Sequence, residues 1–267
     1  MRPTFGREYI ENEFQRVTDG LSAPLTVYLI GGGAMALRNL KGATKDIDLV
    51  VSDGDAYGQL WAVLMDLGYA EIQSLGPEYR VLGATSCVEN DDGCRLDIFN
   101  QQVANKLVLT DGMQERSEPF RNTDQLTVRL VSSEDIFLFK LIAGRDDDIE
   151  DMNMLVQAGL DYDIVEEELE AQIDRVGDDQ FVTFANEALV ELEEQYGVAT
   201  PIEDRIQELT TRYYRGLEVL QALDEPMSVD ELAAELELDT DEIHDRITSL
   251  SRFDRVYRDG NTVRPKE

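Results

Sequence analysis

Apolar and polar residues alternate in two different rhythms along this chain, and the rhythm changes part-way. Between residues 25 and 131 the dominant signal is short apolar runs suited to strands: Thr26 to Ile30, Asp46 to Val51, Arg95 to Phe99 and Leu126 to Val131. A further extended piece is predicted around Tyr79 to Ala84, and Glu89-Asn90-Asp91-Asp92-Gly93 reads as a polar hairpin loop between Val88 and Cys94. Helical spacing interrupts the strands at residues 8 to 18, at Ala34 to Leu40 and at Asp55 to Leu67. In the last of these, Tyr57, Leu60, Trp61, Leu64 and Leu67 share a side, Asp53 is placed to cap the start and Gly68 to close the end. Trp61 reads as a core anchor.

After Ser132 or Ser133, either of which can cap a helix running to Ala143, the pattern stays helical to about Tyr196. The glutamates at 166 to 168 read as a solvated face of one such helix. Beyond Gly197 and Pro201 a separate unit begins: helices Ile202 to Leu223, Val229 to Leu236 and Thr240 to Leu250, then a hairpin around Asp259-Gly260. Ser228 with Glu231 forms a capping box. The fold class is therefore α+β: a mixed sheet flanked by helices over 1–131, a helical extension over 132–197, and a small domain over 198–267 whose three helices and hairpin resemble a winged helix-turn-helix.

Charge changes how these elements are read. Asp and Glu outnumber Lys and Arg by 56 to 24, giving a formal charge of −32, while the apolar fraction is ordinary. The persistent periodicity excludes a disordered acidic chain. An acidic surface adapted to high salt is the favoured reading, and in molar salt the screening length falls to about 3 Å, so distant self-repulsion does not exclude a polyanionic partner. Residues 245 to 267 carry +2 against −34 for the remainder. This supports a DNA contact through residues 239–264, with Arg246, Arg252, Arg255, Arg258 and Arg264 as contacts, although Asp241, Glu242 and Asp245 on the candidate recognition helix argue against it; a dimerisation or docking role is the alternative. His244, the single histidine, has no partner for metal or triad chemistry. No stretch approaches the roughly 18 apolar residues of a membrane span, the N-terminus lacks a signal core, and Cys87 and Cys94 read as reduced thiols on strands, so a cytoplasmic location is expected.

The chemistry is concentrated in Ile30-Gly31-Gly32-Gly33-Ala34 and Thr44-Lys45-Asp46-Ile47-Asp48. A glycine turn at a helix start offers backbone N–H groups to phosphate. Asp46 and Asp48 project from one face of a strand, and two carboxylates that close repel unless a cation lies between them. Asp97, flanked by Leu96 and Ile98, is placed to add a third carboxylate from a neighbouring strand.

On these residues the chain resembles the polymerase-β-type nucleotidyltransferases, and its Gly31-Gly32-Gly33-Ala34 turn with Thr44 to Asp48 is most similar to the abortive-infection-like branch, which includes nucleotidyltransferase toxins of toxin–antitoxin systems. Lys140 followed by Arg145, Asp148 and Asp151 matches a further segment of that branch. The resemblance, over about residues 8 to 195, implies that Asp46, Asp48 and Asp97 hold Mg²⁺ or Mn²⁺, that Asp97 helps deprotonate an acceptor hydroxyl, and that Gly31, Gly32 and Gly33 cradle phosphate. It further implies that Lys140 neutralises the triphosphate, with Lys45, Asp148 and Asp151 completing the site. The implied reaction transfers a nucleoside monophosphate from an NTP to a hydroxyl on RNA, tRNA included, on a protein or on a small molecule. A cognate antitoxin is the implied protein partner, while the winged helix points to a homodimer as the other expectation. The competing expectation is an inert nucleotidyltransferase fold acting as a transcriptional regulator or antitoxin-like DNA-binding protein through its winged helix.

Overall fold

A computed structural model of the chain describes residues 2–73, 83–103 and 106–266. After α1 (Arg7–Gly20) come β1 (Leu25–Ile30), α2 (Gly31–Leu37), β2 (Asp46–Val51), α3 (Gly54–Asp66), β3 (Ala70–Glu71), β4 (Ser86–Glu89) and β5 (Arg95–Asn100). The short β6 (Gln102–Val103) and β7 (Leu107–Val108) then pair with each other, followed by α4 (Asp111–Arg116), β8 (Glu118–Asn122) and β9 (Leu126–Leu130). Seven of these strands form one mixed sheet in the order β3-β4-β5-β2-β1-β9-β8. The central strands β1, β2 and β5 are rich in Ile, Leu and Val and buried over most of their length, as strands covered on both faces are. β2 runs antiparallel to β1 but parallel to β5, and β1 runs parallel to β9.

The helical region is built around α5 (Ser133–Ala143), buried from Asp135 to Ile142. A helix covered on all sides needs neighbours on all sides; α6 (Asp146–Ala158), α7 (Tyr162–Val176) and α8 (Phe181–Tyr196) all pack on it or on each other. Ser132 Oγ accepts the Asp135 N–H at 3.1 Å to start α5, and Gly144, at φ 57°, ends it. α9 (Glu203–Ala222) then joins two cores: Ile206, Leu209 and Tyr213 belong to the large one, while Val219 belongs to a smaller cluster with Leu232, Ile243, Ile247 and Val263. That smaller unit holds β10 (Met227–Ser228), α10 (Val229–Glu235), α11 (Thr240–Arg252), β11 (Val256–Asp259) and β12 (Thr262–Pro265), with its strands ordered β10-β12-β11. The Ser228–Glu231 capping box is present. No helix among the described residues is long and apolar enough to cross a membrane.

Several expectations change. α2 begins at Gly31 rather than at Ala34. Trp61 sits half-buried at the core's rim, its ring 6.2 Å from that of Tyr57. Cys87 lies on β4, whereas Cys94 just precedes β5; both are buried free thiols. Most of the extended piece predicted around Tyr79 to Ala84 lies outside the described residues. Glu168 is not solvated like Glu166 and Glu167. It is buried, accepting from Thr110 Oγ1 at 2.7 Å, from Gln172 Nε2 at 3.1 Å and from Arg116, whose guanidinium also binds the fully buried Asp135 at 2.6 Å.

Arg116 thus neutralises two buried carboxylates that tie α4 to α5 and α7. Removing one partner of such a group strands charge in the interior, which costs about 3–5 kcal/mol. Arg116→Ala is expected to lower stability by roughly that amount, read as a fall in the denaturant midpoint in molar salt.

Candidate active site

The parallel pairing of β2 with β5 sets Asp48 directly beside Asp97, and Asp46 beside Arg95. Paired residues on neighbouring strands share a face and lie about 4.8 Å apart, so the alternation that buries Ile47 and Leu49 also aims Asp46 and Asp48 the same way. The glycine turn closes against them. Gly31 has φ 61°, and a Cβ there would collide with Asp48 Oδ2; at Gly32 a Cβ would lie 2.6 Å from Thr44 Oγ1. These two positions require glycine because the backbone approaches the carboxylate strand too closely for a side chain. Gly33 differs. A Cβ there would meet Leu29 Cδ1 at 3.2 Å, so a side chain at this position would point toward the core.

The remaining predicted residues come from α5 and α6. Lys140 Nζ is buried between Asp148 (2.9 Å) and Asp151 (2.7 Å). Arg145 grips Asp148 with Nε at 2.6 Å and Nη2 at 3.0 Å. Lys41 reaches Asp151 at 2.6 Å and Lys45 reaches Asp147 at 2.7 Å, bridging the glycine–β2 connection to α6. A cleft of about 640 Å³ runs between these two groups, lined by Gly31, Gly32, Lys41, Lys45, Asp46, Asp48, Lys140, Arg145, Asp148 and Asp151 among others. That volume is in the range of small-molecule sites. Asp97 lies beneath it, 1% exposed, its Oδ1 accepting from Arg95 Nε at 2.7 Å and its register partner on β4 being Cys87.

The electrostatics single out Asp48. Asp46 is bonded to Arg2, Asp97 to Arg95, Asp147 to Lys45, Asp148 to Arg145 and Lys140, and Asp151 to Lys41 and Lys140. Among the described residues Asp48 alone of these carboxylates has no hydrogen-bonded cation. Burial first, then repulsion from Asp97 and Asp46, push its carboxyl up to about 8. Asp97 is also raised, burial outweighing the arginine. Burial opposes ionisation of Asp148 as well, yet Lys140 and Arg145 overcome it and hold that group below the usual carboxylate range. Burial raises the Cys87 thiol to about 12, leaving it protonated.

Among the described residues no three acidic, histidine or cysteine side chains converge as a ready-made cation cage, Asp46 and Asp97 being turned to arginines. The donor set nevertheless fits a hard divalent cation. Carboxylate oxygens suit Mg²⁺ or Mn²⁺, and Asp48, facing a side-chain-free cradle with no cation of its own, is the group whose ionisation such an ion would favour.

The basic residues of the C-terminal unit are mostly committed elsewhere. Arg246 binds Glu218 at 2.7 Å, Arg252 binds Asp174, and Arg255 binds Asp178 and lies 3.5 Å from Asp179, clamping the unit to the α7–α8 connection. Arg258 bonds the Gly260 carbonyl and Arg264 lies 4.9 Å from the Tyr257 ring centroid. A second cavity, of about 570 Å³ and lined by residues of α9 and α11, contains none of the candidate carboxylates. Arg2 and Asp147 were missed in the sequence. Asp147 was hidden within an acidic run, and nothing local to Arg2 signals that it returns to β2.

A family model described as "Nucleotidyltransferase of unknown function (DUF6036)" matches residues 9–197. A search of curated proteins finds no match.

A pH signature follows from Asp48. An unfolded aspartate titrates near 3.9, whereas the folded group holds its proton to about 8. The folded state therefore binds more protons across that window, and its stability without a cation falls as pH rises through it. Asp48→Asn cannot ionise. In EDTA its melting temperature is expected to gain on the wild type as pH rises from about 4 to 8 and to hold that gain above. Added Mg²⁺ is expected to restore the wild type at pH 8 and leave the variant unmoved, both read by thermal melting.

Proposed function

Because the chain belongs to this family of nucleotidyltransferases, we propose that it transfers a nucleoside monophosphate from an NTP to a hydroxyl acceptor with the help of Mg²⁺ or Mn²⁺, releasing pyrophosphate. The observation that carries this reading is the register of Asp48 beside Asp97, facing a glycine turn with no room for a side chain. Asp46 and Asp48 would hold the cation with Asp97 as the third carboxylate. When bound, the ion would supply positive charge that offsets the charge of the phosphates and of the departing pyrophosphate.

The chain's own residues do the rest. The backbone N–H groups of Gly32 and Gly33 receive phosphate oxygens. Lys41, Lys45, Lys140 and Arg145 bring positive charge to the cleft, three of them drawn from a chain with only five lysines. Asp148 and Asp151 orient Lys140, whose charged form they favour despite its burial. Asp97, fixed by Arg95, is the base for the acceptor hydroxyl. The cleft's four cations face seven acidic side chains, so a bare triphosphate is repelled more strongly than a metal-complexed one.

RNA, and tRNA within it, is the favoured acceptor by resemblance to toxin nucleotidyltransferases, with an antitoxin as a cognate partner and molar salt as the working medium. The C-terminal unit, read as a winged helix, is a docking or DNA-contact module. A second reading, an inert nucleotide-binding fold serving as a regulator, draws on one observation: Arg2 and Arg95 already occupy two of the three carboxylates.

Purified protein incubated in molar salt with Mg²⁺, labelled NTPs and total RNA, protein or small-molecule hydroxyl acceptors separates the two. Label transfer is expected, and Asp46→Ala combined with Asp48→Ala is expected to reduce it by about 100-fold or more, the loss of several kcal/mol of charge stabilisation. Absence of transfer to every acceptor with every NTP, together with specific retention of DNA, would establish the regulator instead.

A further inference from the structure

The segment ahead of α1 crosses the mouth of the carboxylate cleft and is pinned there. Phe5 and Thr44 form an antiparallel bridge, Phe5 N–H donating to Thr44 O at 2.7 Å and Thr44 N–H donating back at 3.0 Å. The Phe5 side chain is buried, its ring 4.4 Å from that of Tyr9. Thr44 is the residue whose hydroxyl fills the space beside Gly32, so the bridge fixes the strap against the glycine turn itself. Thr4 lines the cleft. Arg2 then turns inward, its guanidinium bonding the Asp46 carboxylate and approaching Lys45 O at 3.4 Å.

Two features bear on what this arginine can do. The strap is already anchored by Phe5, and the Arg2–Asp46 pair is partly exposed on both sides, at 30% and 21%, so it adds little to stability and is readily exchanged. Its carboxylate partner is also one that the divalent cation needs. A guanidinium and a metal ion cannot both take that oxygen. Once displaced, Arg2 remains three residues from the Phe5 anchor, a reach of about 10 Å that includes the glycine turn. A planar guanidinium there meets phosphate oxygens in the bidentate geometry it favours.

We propose that Arg2 is a nucleotide-positioning residue: it holds Asp46 until a divalent cation takes that carboxylate, and then binds the triphosphate. This rests on the nucleotidyltransferase reading above. It goes beyond it by assigning a triphosphate contact, and a competition with the metal, to a residue outside both the glycine turn and the carboxylate cluster.

Mn²⁺ binding to the full chain, followed by the electron paramagnetic resonance of the free ion, tests the first half, and calorimetric titration with the preformed Mn²⁺ complex of a triphosphate tests the second. Inorganic tripolyphosphate serves as a probe that carries the triphosphate without a base. Arg2→Ala is expected to bind Mn²⁺ alone roughly threefold to tenfold more tightly, the range of one ordinary net hydrogen bond, as suits a partly exposed pair. In the presence of Mn²⁺ it is expected to bind tripolyphosphate more weakly by a similar factor, and Arg2→Lys to fall between it and the wild type. The opposite signs separate this role from a structural one, since a damaged fold weakens both. Arg2→Ala with Mn²⁺ affinity unchanged or reduced, or with tripolyphosphate affinity unchanged, overturns the proposal. If Asp48→Asn abolishes Mn²⁺ binding while Arg2→Ala changes nothing, only the role of Arg2 falls. A wild type that binds no Mn²⁺, or an Asp48→Asn variant that binds it equally well, overturns the metal-site reading and the Arg2 proposal together.

Discussion

Parallel pairing of β2 with β5 forces two carboxylates, Asp48 and Asp97, side by side on one face of the sheet. Neither can swing to the other face, because a strand fixes the direction of each side chain and the alternate positions are committed to the core through Ile47, Leu49, Leu96 and Ile98. Repulsion between them is met by the proton that the Asp48 carboxyl keeps up to about 8 and by Arg95 on Asp97. The other basic residues near the cleft pair with its remaining carboxylates. Arg95 comes from the same strand as Asp97, Arg2 from the N-terminal strap, and Lys140 and Arg145 from the α5–α6 corner, while Lys41 and Lys45 extend from the connection between the glycine turn and β2. The sheet and the helical region are thus joined by charge as well as by their shared apolar core.

Much of this was legible in the sequence, for a definable reason. Asp46, Asp48 and Asp97 are interleaved with large apolar residues, and an acidic residue surviving in a buried strand pattern gives both its element and its facing direction. Lys140, Asp148 and Asp151 were legible only through resemblance to a family, since a lysine in an apolar helix has no local signature of its partners. Interactions across long sequence separations were not legible. Glu168 stands in an acidic run that reads as solvated, and its burial depends on Thr110 and Arg116, more than fifty residues away. Arg2 has the same difficulty.

Errors in the elements have local causes. Helix propensity places the start of α2 after the glycines, but Gly33 packs on Leu29 and Ala34 is fully buried, so tertiary packing recruits poor helix formers into the first turn. β8 escaped notice because it is an edge strand: Glu118-Pro119-Phe120-Arg121-Asn122 is polar, contains a proline, and is irregular in register between Pro119 and Arg121. Those are the features an edge tolerates and a central strand does not.

The C-terminal unit shows how an acidic chain uses its arginines. Arg246, Arg252 and Arg255 formed the positive end that suggested a polyanion partner, yet each is bonded to an acidic side chain of this same protein, on α9 or at the α7–α8 corner. In a chain of −32 an arginine meets many intramolecular competitors for its charge, so a local excess of basic residues in the sequence does not imply a basic surface. Isolated exposed pairs contribute little individually. Here α9 is shared by both cores, so the pairs add to a connection that apolar packing already makes. Any polyanion meeting this unit must compete with those carboxylates or use Arg258 and Arg264 on the hairpin, which face a carbonyl and an aromatic ring instead.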